Sequence, residues 1–184
     1  MSDAAARAAD PPNRGDGWRG VTAVPAYDRS VTEEPADLTL ELTRVLPAPP
    51  EAVFAAFSEP GELAQWWGPE GFTIPSVDFR PRVGASYRIE MRPPEGESFY
   101  LKGAFRAIDP PTHLAYSFVW EPPDPDDVET IVDLRFREVD GSTDVLFTQS
   151  SFKTEERRSL HRDGWSETFD KLERHLRASG RPGE

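Results

Sequence analysis

Four side chains in this sequence combine a polar atom with a place on an apolar stripe: Tyr87, Tyr116, Gln149 and Trp165. One polar atom set among hydrocarbon can orient a ligand, so these are the groups through which the chain would do chemistry. Trp67, Met91 and Phe105 belong with them, as do Phe118, Trp120 and Phe136, then Phe147 and Phe169. Any one of these, taken alone, reads as an ordinary core residue. As a set they can converge between a sheet and a helix and line a concave space for a small apolar ligand. Gly164, next to Trp165, has no side chain and would let a ligand or the sheet come close to the helix.

Other chemistries find little support. The chain has no cysteine, which excludes disulfides, thiolate metal sites and cysteine nucleophiles. The three histidines, His113, His161 and His175, show no ligand spacing, and His161 and His175 are too far apart on one helix to share a metal. They are expected to face solvent or to make a single hydrogen bond, with only His161 near the Gly164–Trp165 stripe. Neither a G-x-S-x-G elbow nor a glycine-rich phosphate cradle is present. Glu90 and Asp133 sit mid-strand, but alternation turns both away from the apolar face and into water. No catalytic, metal or cofactor site emerges.

These side chains need a sheet and a helix to hold them. Leu38, Leu40 and Leu42, with Arg44, alternate with Thr39, Glu41 and Thr43, a strand pattern that Pro47, Pro49 and Pro50 end. Residues 51–58 put Val53, Phe54 and Phe57 on one helical face, and a second short helix over 62–66 follows the break Glu59-Pro60-Gly61. Six strand runs come next, at 73–79, 85–92, 98–108, 113–121, 130–138 and 143–152, separated by short turns that imply antiparallel pairing. Tyr87, Ile89 and Met91 share a face, as do Tyr116, Phe118 and Trp120; Val132, Leu134 and Phe136; and Val145 with Phe147. Beyond Phe152 the period becomes helical. Thr154 is the expected N-cap, and Leu160, Gly164, Trp165, Phe169 or Thr168, Leu172 and Leu176 form one stripe that ends at Gly180. The expected fold class is therefore α+β: a helix-grip, with a seven-stranded curved antiparallel sheet wrapped around the long C-terminal helix and two short helices between strands 1 and 2.

Residues 1–37 hold only Trp18 and Tyr27 as aromatics and show no periodic apolar face, so they read as a disordered or loosely attached arm before a domain at 38–180. The net charge of −12 argues against nucleic acid and anionic membranes as partners, although Arg80, Arg82, Arg88 and Arg92 lie close in sequence. No run is apolar and long enough for a membrane span, and the N-terminal residues hold no signal-peptide stretch, so the expected location is cytoplasmic.

Several motifs resemble the START-related helix-grip (SRPBCC) superfamily, and within it the branch like the activator of heat-shock protein 90 ATPase homologue. They are the segment Pro49 to Phe57, the paired-tryptophan segment Glu62-Leu63-Ala64-Gln65-Trp66-Trp67-Gly68-Pro69, the strand Gly84 to Arg92, Gly103-Ala104-Phe105, Pro111 to Phe118, and His161 to Trp165 with Leu172. The resemblance covers about residues 38–178. It implies the helix-grip fold, and its branch name implies a chaperone partner and a stress-response setting. The same fold hosts lipid carriers, receptors, cyclases and chaperone cofactors, so the site must decide the function. The favoured reading is a binding protein for a small hydrophobic or amphipathic molecule in the groove between sheet and helix. The alternatives are a chaperone-linked adaptor that meets another protein, and a cyclase- or hydrolase-like enzyme. Trp66 is expected to plug the core and Trp67 to line the groove.

Overall fold

The computed structural model describes residues 38–180. The arm assigned to residues 1–37 lies outside the described residues. The elements run β1 (Leu38–Leu46), α1 (Pro50–Ser58), α2 (Pro60–Trp66), β2 (Thr73–Phe79), β3 (Ser86–Arg92), β4 (Phe99–Asp109), β5 (His113–Glu121), β6 (Thr130–Val139), β7 (Ser142–Phe152) and α3 (Glu155–Ser179). This is the α+β helix-grip order expected from the sequence.

The seven strands lie in the order β1-β7-β6-β5-β4-β3-β2, and each neighbouring pair is antiparallel. β2 to β7 form a meander, so each turn returns the chain beside the strand it has just left. The one long step is from β1 to β2, where α1 and α2 carry the chain from one edge of the sheet to the other. Alternation then buries one face. Tyr87, Ile89 and Met91 of β3 are buried, as are Tyr116, Phe118 and Trp120 of β5. A seven-stranded sheet with such a face needs a cover, and α3 supplies it by packing on β1, β7 and α2.

Local chemistry explains the helix boundaries. Proline begins both α1 and α2, at the position where a missing N–H leaves no bond unmade. For that reason the expected break at Glu59-Pro60-Gly61 shrinks to Glu59 alone, and α2 starts at Pro60 rather than Glu62. Thr154 caps α3 as expected, its hydroxyl accepting from the Arg157 amide at 3.2 Å. The buried stripe of α3 starts at His161 instead of Leu160, which is only partly covered. Period alone preferred the leucine, but the structure turns the histidine inward because Gln149 and Trp120 are there to receive its ring nitrogens.

Trp66 is the core plug. Its indole is fully buried, donates to the Ala56 carbonyl at 3.1 Å and stands edge-on to Phe57 at 4.7 Å between ring centroids. A buried side chain of this size stabilises the fold by roughly 3 kcal/mol, so Trp66 ties α2 to α1 despite the shortness of both helices.

Candidate functional site

Under α2 the sheet face is not fully closed. A gap of about 20 Å³ lies there, enough for one or two water molecules. Four successive strands provide its floor through Phe79, Tyr87, Phe105 and Tyr116; Leu63 and Trp67 close it from α2, and Phe57 from α1. The rings meet edge to face: Tyr87 and Tyr116 have centroids 5.6 Å apart, as do Phe79 and Phe105. Four of the expected site residues, Trp67, Tyr87, Phe105 and Tyr116, therefore share one wall.

The two tyrosines of this wall differ. Tyr87 donates its hydroxyl to the Ser117 carbonyl at 2.7 Å. Tyr116 is equally buried, and its hydroxyl has no hydrogen-bond partner among the described residues. A buried hydroxyl left unpaired costs about 1–3 kcal/mol. Burial pushes both phenols above the ordinary tyrosine pKa, and in Tyr87 the neighbouring Tyr116 and Glu129 add to the shift. Both therefore remain protonated, and the gap can offer hydrogen bonds but no phenolate base.

The approach of β4 to β5 makes the Tyr87 bond feasible. Gly103 faces Tyr87 across the β3–β4 pair, and a Cβ there would collide with the Ser117 carbonyl and lie 2.8 Å from the Tyr87 ring. Glycine is required here for close packing, not for a special backbone angle.

The other expected site residues form two further groups. Phe136, Phe147 and Phe169 are packing groups: Phe136 lies 5.7 Å from Phe57, and Phe147 the same distance from Phe169. Met91 packs beneath Gly68, where a Cβ would stand 3.0 Å from its terminal methyl. Gly164 is buried on α3, its carbonyl accepting from Thr168 at 2.7 Å.

The second group is a buried polar network that positions Phe118, Trp120, Gln149 and Trp165. Trp165 donates to Gln149 Oε1 at 2.7 Å, and Nδ1 of His161 meets the same oxygen at 3.1 Å. Nε2 of His161 accepts from the Trp120 indole at 3.1 Å, while Gln149 Nε2 donates to Thr130 at 2.8 Å. An indole N–H can only donate, so His161 is neutral with its proton on Nδ1. Phe118 covers the network, 5.2 Å from the His161 ring. The expectation of solvent-facing or singly bonded histidines thus fails for His161, which is 4% exposed and bonded on both nitrogens. It holds for His113, whose one hydrogen bond runs to Asp133 at 2.7 Å on the outer face, with Asp109 3.5 Å from its other nitrogen. The sequence did hold a signal for His161: it lies four residues before Trp165, one turn along the same stripe.

A model of the Activator of Hsp90 ATPase homolog 1-like protein family matches residues 47–177. The chain belongs to that family. Similar solved structures include protein CV1439 from Chromobacterium violaceum, 27% identical over 75% of this chain and 96% of that one, with a TM-score of 0.66. The AHSA1 protein SPO3351 from Silicibacter pomeroyi is 27% identical over 77% of this chain and 99% of that one, with a TM-score of 0.69. A Rhodobacter sphaeroides protein is 26% identical over 78% of this chain and 95% of that one, with a TM-score of 0.67. No curated protein matches the sequence.

In this member of the Activator of Hsp90 ATPase homolog 1-like family, α3 also holds the wall of the gap in place from outside. Lys171 Nζ donates to the carbonyls of Trp67, Pro69 and Phe72 at 3.2, 3.3 and 3.5 Å. Glu167 accepts the Glu70 amide at 3.1 Å, and His175 pairs with Glu62 at 2.8 Å. These residues lie on one side of α3, so a single helix face grips α2 and the turn after it. Burial lowers the Lys171 pKa, and Glu70 partly opposes that shift. Among the described residues no helix is long and apolar enough to cross a membrane, and no cluster of His, Asp and Glu could hold a metal ion.

Proposed function

We propose that this protein holds a small apolar molecule in the groove between the sheet and the helices, seated at the gap beneath α2. The observation that carries this reading is the pairing of an apolar, aromatic-walled gap with a buried hydroxyl, that of Tyr116, which no described residue satisfies. A gap of about 20 Å³ is far below the roughly 300 Å³ of a typical ligand pocket. Binding therefore needs the wall to yield, and α2 must then loosen from the α3 contacts that hold it. It is seven residues long, and the α2–β2 turn that follows contains Gly68 and Gly71, both with positive φ. Trp67, at the end of that helix, moves with it.

Native mass spectrometry of the purified full chain, followed by thermal-shift titration with lipids, sterols and aromatic metabolites, tests this reading. A ligand at 100 times its Kd adds about 2.7 kcal/mol of stability, a shift of several degrees in Tm for a chain of this size. That shift should shrink on Trp67→Ala. A clean unliganded mass with no stabiliser in any class would defeat the reading.

The tightness of the groove favours a second reading, in which the domain is an adaptor that meets a protein partner on its surface. The family model that matches carries the name of an Hsp90 ATPase activator, so that chaperone is the partner to try. Direct binding to it with no small-molecule stabiliser would favour the adaptor.

A further inference from the structure

We propose that the molecule taken by this groove is an uncharged, mainly hydrocarbon compound with a single acceptor oxygen, a carbonyl or hydroxyl, that receives the hydroxyl of Tyr116. This rests on the groove reading above and adds to it the class of ligand.

Of the two phenols on the wall, Tyr87 is committed to the Ser117 carbonyl at 2.7 Å. Deeper in the groove, both ends of the Gln149 amide are engaged, and the Trp165 indole is spent on that amide. Tyr116 remains, on a ring that lines the gap, its oxygen buried and without a partner among the described residues. A phenol both donates and accepts, but an unmet buried donor is the rarer and costlier defect, so an acceptor is the group it calls for.

Charge narrows the class. Neither a cationic nor a carboxylate side chain lines the gap, whose walls are Phe, Leu, Trp, Ile and Tyr. The nearest candidate counter-charge, Lys171, directs its ammonium at three carbonyls of the α2–β2 turn. An anion or a cation in the gap would be desolvated without compensation. The aromatic wall, with Phe79 edge-on to Phe105 and Tyr87 tilted against it, suits a ring or a compact alicycle.

The test is isothermal titration of the full chain with toluene, acetophenone and benzoate at neutral pH, on the wild type and on Tyr116→Phe and Tyr87→Phe. On the wild type, acetophenone should bind about fivefold to tenfold more tightly than toluene, the range one added hydrogen bond supplies, and benzoate should not bind. Tyr116→Phe should bring acetophenone to within about twofold of toluene while leaving toluene unchanged, and Tyr87→Phe should keep the preference. Equal affinity for toluene and acetophenone, or tighter binding of benzoate, overturns the class and leaves the groove reading standing. Failure of all three probes, together with the lipid and sterol series, overturns both. The unliganded Tm gives a second check: Tyr116→Phe should be at least as stable as wild type. A drop there would mean the hydroxyl is already satisfied, which also overturns the proposal.

Discussion

Trp165 donates its indole N–H to Oε1 of Gln149 at 2.7 Å, and through that one contact α3 is keyed to the middle of β7. The same oxygen meets His161, and the same amide donates to Thr130, so one glutamine of β7 serves three buried groups, two on α3 and one on β6. Gln149→Leu keeps the volume and strands two donors, the Trp165 and His161 N–H groups. Each stranded group costs about 1–3 kcal/mol, so chemical denaturation should show a loss of about 2–5 kcal/mol. A loss below about 1 kcal/mol would show that the network is satisfied in some other way.

Gly103 and Tyr87 form a second coupled pair. Gly103→Ala forces a Cβ into the Ser117 carbonyl and the Tyr87 ring, and β4 must move away from β5 to admit it. Because the obstruction includes backbone, the cost should reach about 3 kcal/mol or more. Tyr87→Phe removes only the bond to Ser117 and should cost about 1–2 kcal/mol. Urea denaturation of both variants checks the order, and a Gly103→Ala protein as stable as wild type would contradict the close approach.

The α3 grip on the gap wall is testable by hydrogen exchange. Lys171→Met removes three N–H donations to the α2–β2 turn but keeps most of the half-buried stem. Amides in residues 67–72 should exchange faster, while those of β5 to β7 keep their protection. The global loss should be only about 1–2 kcal/mol, since burial already disfavours the ammonium. Unchanged exchange in that turn would show that Glu167 and His175 suffice to hold it.

Alkaline pH should unfold the protein through its buried phenols. Burial raises the folded-state pKa of Tyr87 and Tyr116, whereas in the unfolded chain both ionise near pH 10. Above that pH the unfolded state releases protons that the folded state keeps, so stability is fully present below about pH 10 and falls as pH rises. The two groups together give a slope of up to about 2.7 kcal/mol per pH unit. Tyr116→Phe should halve it. Phenolate absorbance alongside denaturation at each pH gives the measurement, and a phenolate signal from these residues before unfolding would refute the burial argument.

The sequence by itself determined the α+β helix-grip order and the membership of each strand face. Alternation decides which residues point the same way, and that property is local. Tyr116, Phe118 and Trp120 could be placed on one face without knowing what lay opposite. The pairing of Trp66 and Trp67 beside Gly68 likewise carried the family resemblance in a short segment. Proline at the start of α2 was harder to place, because the residue that breaks a helix also opens one. Only the tertiary structure decided which polar atoms find partners. Tyr87 and Tyr116 look alike in sequence, but one meets the Ser117 carbonyl and the other meets nothing among the described residues. His161 turned inward because a glutamine from β7 and a tryptophan from β5 converge on its two nitrogens. The closing of the gap beneath α2 to about 20 Å³ was also a tertiary outcome. Packing depends on how side chains from distant strands interdigitate, and no period along the chain records that.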